Sequence, residues 1–356
     1  MKIRENVLIS TLTTMRLGGP ARYVISVEQT AEIQQAYQFA KERNLPIWVM
    51  GSGANTIGHD EGFPGVIIIN EAKGIFIQTG SGWTPIDEYV TDDLGETVTM
   101  KALAGEVWDD LVAQACKLNF SGIEALSMIP GKVGAAPIQN IGAYGQDVAQ
   151  VIKTVEAFDT KTQTIVTLAK NEMGMTYRHT RFNYGPDAGR FIILAITLEL
   201  HRGELKPPFY TSLQSYIEQY HETDFSPANI RRMICEIRSS KLPDPAKIAS
   251  AGSFFGNIYL DAEAAKSAEA KGIPVWYSDD GSGKINSGWL IEQCGFKGKK
   301  LFGFRVSDQA ALVLINESAT SYTDLDKARL EIVNAVRARY GYTLEQEPVE
   351  IPGGRA

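Results

Sequence analysis

Apolar residues recur at Ile33, Ala36, Tyr37 and Ala40 within residues 30–43, and Pro46 closes the run. That spacing lays one apolar stripe along a helix. Short apolar or β-branched runs at residues 21–26, 47–50 and 65–70 predict strands around it. From Gly74 to about Arg202 the chain reads as strands and glycine turns around one clear helix. Val107, Trp108, Leu111, Val112 and Ala115 form the inner side of that helix, and residues 151–158, 164–167 and 191–200 read as sheet.

The pattern changes at Gly203-Glu-Leu-Lys-Pro-Pro-Phe, whose paired prolines and polar entry suit a domain junction. Ser226-Pro227 predicts a helix start, a hydroxyl cap followed by proline at the first helical position. Ile230, Met233, Ile234 and Ile237 then share one face. A helix around residues 289–294 ends at Gly295, residues 311–316 read as a strand, and Thr323 opens a long helix closed by Gly341. The expected division is 1–72, 73–202 and 203–356, the last an α/β domain. No internal repeat interrupts it.

With 356 residues, 44% hydrophobic and 22% charged, the composition is that of a soluble globular protein of more than one domain. The net charge of −7 and the lack of a basic run argue against a nucleic-acid surface. Cys116, Cys235 and Cys294 are odd in number and far apart, and read as reduced thiols filling the core. His59, His179, His201 and His221 show no metal-ligand spacing, so no metal is expected. The first residues carry no apolar signal core, and no apolar run approaches membrane-spanning length. The expectation is a cytoplasmic protein with no membrane partner and no obligate protein partner.

Two glycine clusters carry the candidate chemistry. The apolar run at residues 45–50 leads directly into Gly51-Ser-Gly-Ala-Asn-Thr56, and a glycine turn after a strand is a usual cradle for a pyrophosphate. Thr56 stands where a Rossmann fingerprint needs its third glycine, and the residues that follow cannot form the phosphate-facing helix. Residues 129–145 hold four glycines and two prolines in an apolar segment with a single charge, Lys132. Such a chain suits a large flat ligand, since no Cβ blocks its backbone N–H groups. A tight core crossover is the plain alternative for this loop taken alone. Two loops together favour a dinucleotide cofactor bound in a non-Rossmann manner.

Ser253 lies in Ala251-Gly-Ser-Phe-Phe255 among small residues, outside any Gly-x-Ser-x-Gly elbow and with no neighbouring histidine. It suits a hydroxyl that donates a proton in a dry pocket, or simply a packed turn. Arg178, in Tyr177-Arg-His-Thr-Arg181, could clamp an anionic group or serve an ordinary surface ion pair. Glu347 taken alone reads as surface charge beyond the last helix.

In combination these segments resemble the UDP-N-acetylenolpyruvoylglucosamine reductase family. The resemblance runs from Thr13-Thr-Met-Arg-Leu-Gly-Gly19 to Glu347. It rests on the Gly51 loop, Gly122-Ile-Glu124, residues 129–145, Tyr177-Arg178, Ala251-Gly-Ser-Phe-Phe255 and Leu344-Glu-Gln-Glu347. It implies an α+β fold: a two-part FAD-binding domain of the vanillyl-alcohol-oxidase/PCMH type, residues 1–72 and 73–202. An α/β substrate-binding domain, residues 203–356, follows. Residues 134–142 and Tyr210 look like the branch of the family with an extra tyrosine loop.

The resemblance also implies residue roles. Non-covalent FAD would rest on Gly51, Ser52, Gly53, Ala54, Asn55 and Thr56 of the first loop. Ile129, Pro130, Gly131, Gly134, Ala135 and Ala136 would add to it from the second. Pro137, Gln139, Asn140, Gly142, Ala143, Tyr144 and Gly145 complete that loop. Tyr210, Lys241 and Asn257, with Arg238 as a further candidate, would hold the substrate, UDP-N-acetylglucosamine enolpyruvate. NADPH would reduce FAD, and the enolpyruvyl group would then accept hydride from flavin N5. Arg178 and Glu347 in its protonated form would stabilise the enolate, and Ser253 would protonate the adjacent carbon.

This chain departs from the family pattern at Leu12, at Ala54 and at Ala310, where Gln309 is a possible substitute contact. Two rival readings share the fold: an FAD-dependent alcohol oxidase or dehydrogenase, with His59 as the nearby candidate for covalent attachment, and a non-catalytic UDP-sugar sensor.

Overall fold

Alternation along Thr97–Leu103 buries Val98, Met100 and Ala102 on one face, and a wide antiparallel sheet grows around that strand. Its order is Thr164–Ala169, Ile152–Asp159, Phe191–Arg202, Thr97–Leu103, Ile75–Thr79 and Gly82–Pro85, with Phe120–Ser121 paired beside Phe191–Arg202. Phe191–Arg202 is buried along most of its length, as a central strand covered on both faces must be. A second sheet runs Lys2–Leu8, Pro20–Val27, Phe63–Asn70 and Ile47–Met50, the last two parallel. The helix Glu32–Glu42 covers it with Ile33, Ala36, Tyr37 and Ala40.

The computed structural model describes residues 1–80, 82–87 and 95–351, and the chain divides into two compact units. The first comprises Met1–Asn6, Ala21–Ser52 and Pro64–Ser239, and the second Val7–Pro20, Gly53–Phe63 and Ser240–Ala356. Within the first unit, helix Trp108–Lys117 buries Trp108, Leu111, Val112, Ala115 and Cys116. Val107 does not join this face. It takes an extended conformation ahead of the helix, bridges to Lys132 and remains 38% exposed. Helix Thr211–Tyr220 and helix Pro227–Lys241 share an apolar cluster of Leu213, Ile217, Ile230, Met233, Ile234 and Ile237, also in the first unit. The Ser226 hydroxyl accepts from the amide of Asn229, which fits a helix start at Pro227.

In the second unit an antiparallel sheet orders Ser250–Ser253, Val313–Asn316, Phe304–Val306 and Lys300–Leu301. The strand opens at Val313 and not at residue 311, because the amide of Val313 turns back to the carbonyl of Ala310. A three-stranded sheet runs Ile258–Leu260, Gly283–Ile285 and Val275–Tyr277. Helix Tyr322–Tyr340 starts at a Ser321 cap bonded to the Asp324 amide and stops at Gly341, whose φ of 80° suits glycine. Its residues Leu325, Ala328, Ile332 and Val336 pack in one core with Phe254, Phe255 and Phe304. Full burial of each such ring stabilises the unit by about 1.5–3 kcal/mol. Met15, Leu17 and Ile57, from early in the chain, belong to this same core. Val349–Ile351 runs parallel to Thr56–Gly58.

Cys116 is buried, whereas Cys235 and Cys294 are only half-buried, and all three thiols are free. Among the described residues no helix is long and apolar enough to cross a membrane.

Candidate functional site

The loop after Ile47–Met50 leads into the short strand Thr56–Gly58, not into a helix, in keeping with a non-Rossmann cradle. Gly53 has φ of 68°, and a Cβ there would stand 2.1 Å from the carbonyl oxygen of Leu12. Only glycine fits. The Thr14 amide donates to the Gly53 carbonyl at 3.2 Å, and its hydroxyl donates to the Ala54 carbonyl at 3.4 Å. Across a trans peptide the next N–H points opposite to the carbonyl, so the Ala54 amide is turned away from Thr14. Among the described residues, the amides of Gly51, Ser52, Gly53 and Ala54 have no protein acceptor. Amides so presented, on Gly51 and Ser52 in the first unit and on buried Gly53 and Ala54 in the second, each suit a phosphate oxygen. The residues present therefore suit the cofactor that the glycine pattern implied.

Within the first unit the second glycine loop packs against Gly51, the first residue of the other. A Cβ at Gly51 would lie 3.5 Å from that of Ala135 and 3.8 Å from that of Lys132. The Lys132 ammonium donates to the carbonyl of Asn70 at 2.9 Å and faces Glu71 at 3.9 Å. Burial holds its pKa below the ordinary lysine range, with Glu71 opposing that shift. The loop contains a 3₁₀ turn, Val133–Ala135, and a tight hairpin of Gly142–Ala143 with Gln146–Asp147. Ile129, Pro130, Ala136, Pro137 and Gln139 lie along the same turn-rich path, and positive φ at Asn140 and Tyr144 bends it.

Arg178 is built onto this loop. Its guanidinium donates to the carbonyls of Asn140 at 3.1 Å and Gly142 at 3.4 Å, and its own φ is 57°. Asn140 donates back to the Thr176 carbonyl at 3.1 Å, and the Thr180 hydroxyl to the Ile138 carbonyl at 2.7 Å. Tyr210 is 45% exposed and meets Tyr144 edge to face at 6.0 Å between centroids. Arg238 donates to the carbonyl of Met128 at 3.3 Å, while its buried Nε has no hydrogen-bond partner among the described residues. Burial lowers the pKa of Arg238, and the hydroxyl of Tyr144 beside it works the other way.

Met128, just ahead of the loop, has φ of 58° and its amide donates to Asp109 at 2.6 Å. Asp109 also accepts a bidentate pair from Arg231 at 2.6 and 2.9 Å. Burial works to raise the Asp109 pKa, but Arg231 and the Met128 amide bring it below the usual value. Nothing local in the sequence marks Asp109 and Arg231, ordinary polar residues on two amphipathic helices.

The second unit brings Ser253, Asn257 and Glu347 into one neighbourhood. Ser253 ends its strand half-buried, ahead of the fully buried Phe254 and Phe255. The amide of Glu347 donates to the Phe254 carbonyl at 3.0 Å, and a Cβ on Gly256 would lie 3.5 Å from Glu347 Cγ. Asn55 donates from Nδ2 to the Glu347 carbonyl at 3.4 Å. Asn257 accepts from the amide of Ser287 at 3.2 Å. Lys241 closes its helix exposed, and Gln309 sits in a turn where the Ser307 hydroxyl accepts its amide at 3.2 Å. His59, the rival reading's attachment residue, bonds through Nε2 with Glu350 at 3.1 Å and stacks on Tyr322 at 3.7 Å. Arg178 belongs to the first unit, Ser253 and Glu347 to the second.

Residues 21–169 match the family model of an FAD binding domain. Residues 244–351 match the model of the UDP-N-acetylenolpyruvoylglucosamine reductase C-terminal domain. The UDP-N-acetylenolpyruvoylglucosamine reductase of Porphyromonas gingivalis is 33% identical over 351 residues, 98% of each chain. That of Pseudomonas aeruginosa is 32% identical over 350 residues, again 98% of each. The crystal structure of the corresponding reductase from Thermus caldophilus aligns with a TM-score of 0.64 at 23% identity, covering 98% of this chain and 99% of that one. It shares the fold.

Proposed function

The chain belongs to the UDP-N-acetylenolpyruvoylglucosamine reductase family, and on that premise we propose that it reduces UDP-N-acetylglucosamine enolpyruvate to UDP-N-acetylmuramate with NADPH. It is an FAD-dependent oxidoreductase with the α+β architecture of its family. The observation that carries the reading is the presence of both family models, in order, on a chain matched over nearly its full length. We assign it to peptidoglycan precursor synthesis in the cytoplasm, in keeping with its free thiols.

Bound FAD supplies the hydride chemistry that no side chain can provide. The amides of residues 51–54 would hold its pyrophosphate, and residues 129–145 its remaining length. Arg178 is the cation among the three residues assigned to the chemistry, oriented by two carbonyls of the second loop. It would stabilise negative charge developing toward the substrate carboxylate, in a setting where water is excluded. Glu347 would share that task. Ser253 would deliver a proton from its hydroxyl to the carbon next to the one that gains hydride. Tyr210, Lys241, Asn257 and Arg238 would hold the UDP portion, mainly through its diphosphate.

The visible spectrum tests this reading. Anaerobic holoprotein should be yellow, bleach on adding NADPH and regain its colour on adding the enolpyruvyl sugar nucleotide. Acid should release the flavin intact. Flavin retained on the denatured chain, or bleaching by a small alcohol with no response to the sugar nucleotide, would overturn it.

A further inference from the structure

In the second unit, residues 345–351 are bonded to their surroundings at almost every position. The amide of Gly256 donates to the Glu345 carbonyl at 2.9 Å, Phe255 bridges to Gln346, and Val349 donates to the Asn55 carbonyl at 2.9 Å. One side chain also takes part in fastening the segment. The Gln346 carboxamide donates from Nε2 to the carbonyl of Pro348 at 2.8 Å and to Glu350 Oε1 at 3.1 Å. Its Oε1 accepts from Arg329 Nη1 at 2.9 Å.

The bond from Gln346 to Pro348 spans residue 347. It closes a ring whose only flexible members are the Gln346 side chain and the backbone torsions of residues 346–348. Pro348 narrows those torsions further, because a residue before proline is pushed toward extended conformations. Arg329 decides which way the carboxamide faces. A guanidinium can only donate and a carbonyl can only accept, so Oε1 must meet Arg329 and Nε2 must meet Pro348. Arg329 is itself held by Glu350 at 2.9 Å and by an ion pair with Asp326. Glu350 accepts further bonds from Tyr322 at 2.9 Å and shares one with His59 at 3.1 Å.

We propose that Gln346 is a positioning residue for Glu347: its carboxamide, oriented by Arg329, closes a ring over residue 347 and sets the direction of that side chain. The inference rests on the catalytic role proposed for Glu347. A misplaced catalytic group of this kind costs on the order of a hundredfold for a shift of about an ångström.

The test uses the holoenzyme and stopped-flow absorbance of its flavin. Gln346→Met keeps the volume and removes both sets of hydrogen bonds. It should slow recolouring by the enolpyruvyl sugar nucleotide about ten- to a hundredfold, while bleaching by NADPH and FAD affinity stay near native. Gln346→Asn, too short to reach Pro348 and Arg329 together, should show the same split. In a Glu347→Gln background, Gln346→Met should add no further slowing, since the group it positions is already gone. Native recolouring in both Gln346 variants, equal slowing of both half-reactions, or full additivity with Glu347→Gln would overturn the proposal. Native recolouring in Glu347→Gln alone would instead remove the role of Glu347 on which it rests.

Discussion

The amide of Glu347 donates to the carbonyl oxygen of Phe254 at 3.0 Å. The bond joins the last assigned residue of the chain to Phe254, the residue that follows Ser253. The two positions proposed to act on neighbouring parts of one substrate thus share a rigid backbone connection. Phe254 and Phe255, both buried in the core of the second unit, anchor it. A site carried on such elements is more precise than one on a free loop.

Ser253 separates the two half-reactions. Ser253→Ala should bleach with NADPH at close to the native rate yet recolour with the enolpyruvyl substrate about 10²–10⁴-fold more slowly, the usual worth of general acid catalysis. Ser253→Cys retains a transferable proton and should recover part of that loss. Stopped-flow absorbance follows both steps in one preparation. Equal slowing of both would indicate a packing role for Ser253.

Tyr210 and Lys241 are both exposed side chains assigned to the diphosphate, not to the chemistry. Tyr210→Phe and Lys241→Ala should raise KM for the sugar nucleotide about ten- to a hundredfold, the worth of a hydrogen bond to a charged group. Turnover at saturating substrate should hold. A fall in kcat at unchanged KM would show that either residue had been assigned the wrong role.

Asp159 links stability to pH. It is buried and accepts bonds from Arg190 at 2.8 and 2.7 Å, and this pairing holds its carboxyl well below the usual carboxylate range. The unfolded chain takes up that proton more readily, near pH ~3.9. The stabilisation is therefore complete above that pH and lost as pH falls toward the lower folded value. Thermal midpoints should drop more steeply in the native protein than in Asp159→Asn below about pH 4. Parallel curves for the two proteins would argue against this linkage.

Cys116 should be chemically silent. Burial pushes its thiol up to about 12, so little thiolate exists near neutral pH. Alkylation of native protein at pH ~8, read by peptide mass spectrometry, should leave Cys116 unmodified until denaturant is added. Labelling of Cys116 at the rate of a free exposed thiol would contradict its burial.

Much of this architecture is legible from local pattern. The stripe on Glu32–Glu42, the proline start at Pro227 and the glycine stop at Gly341 are each encoded within a few residues, and each is found. Both glycine loops announce themselves because breakers in an apolar segment have few other uses. Val107 misleads, since its apolar side chain fits the helical stripe while its backbone bridges to Lys132. The composition of the second unit is not legible. Pairing of Thr56–Gly58 with Val349–Ile351 joins segments from opposite ends of the chain, and nothing local marks either as the other's partner. Arg329, Gln346 and Glu350 escape notice for the same reason. Each is an unremarkable polar residue until the fold brings them together.

That parallel pairing also has a meaning for synthesis. A ribosome releases residues 7–20 and 53–63 long before residues 349–351, yet all three segments belong to one unit. Met15, Leu17 and Ile57 must therefore wait, as apolar side chains without their core, until the partners between Ala251 and Leu344 emerge. The nascent chain thus carries a stretch of its own interior exposed until those partners are made, a natural client for holding chaperones. Completion of the second unit must await the segment that carries residues 349–351, however fast the earlier ones fold.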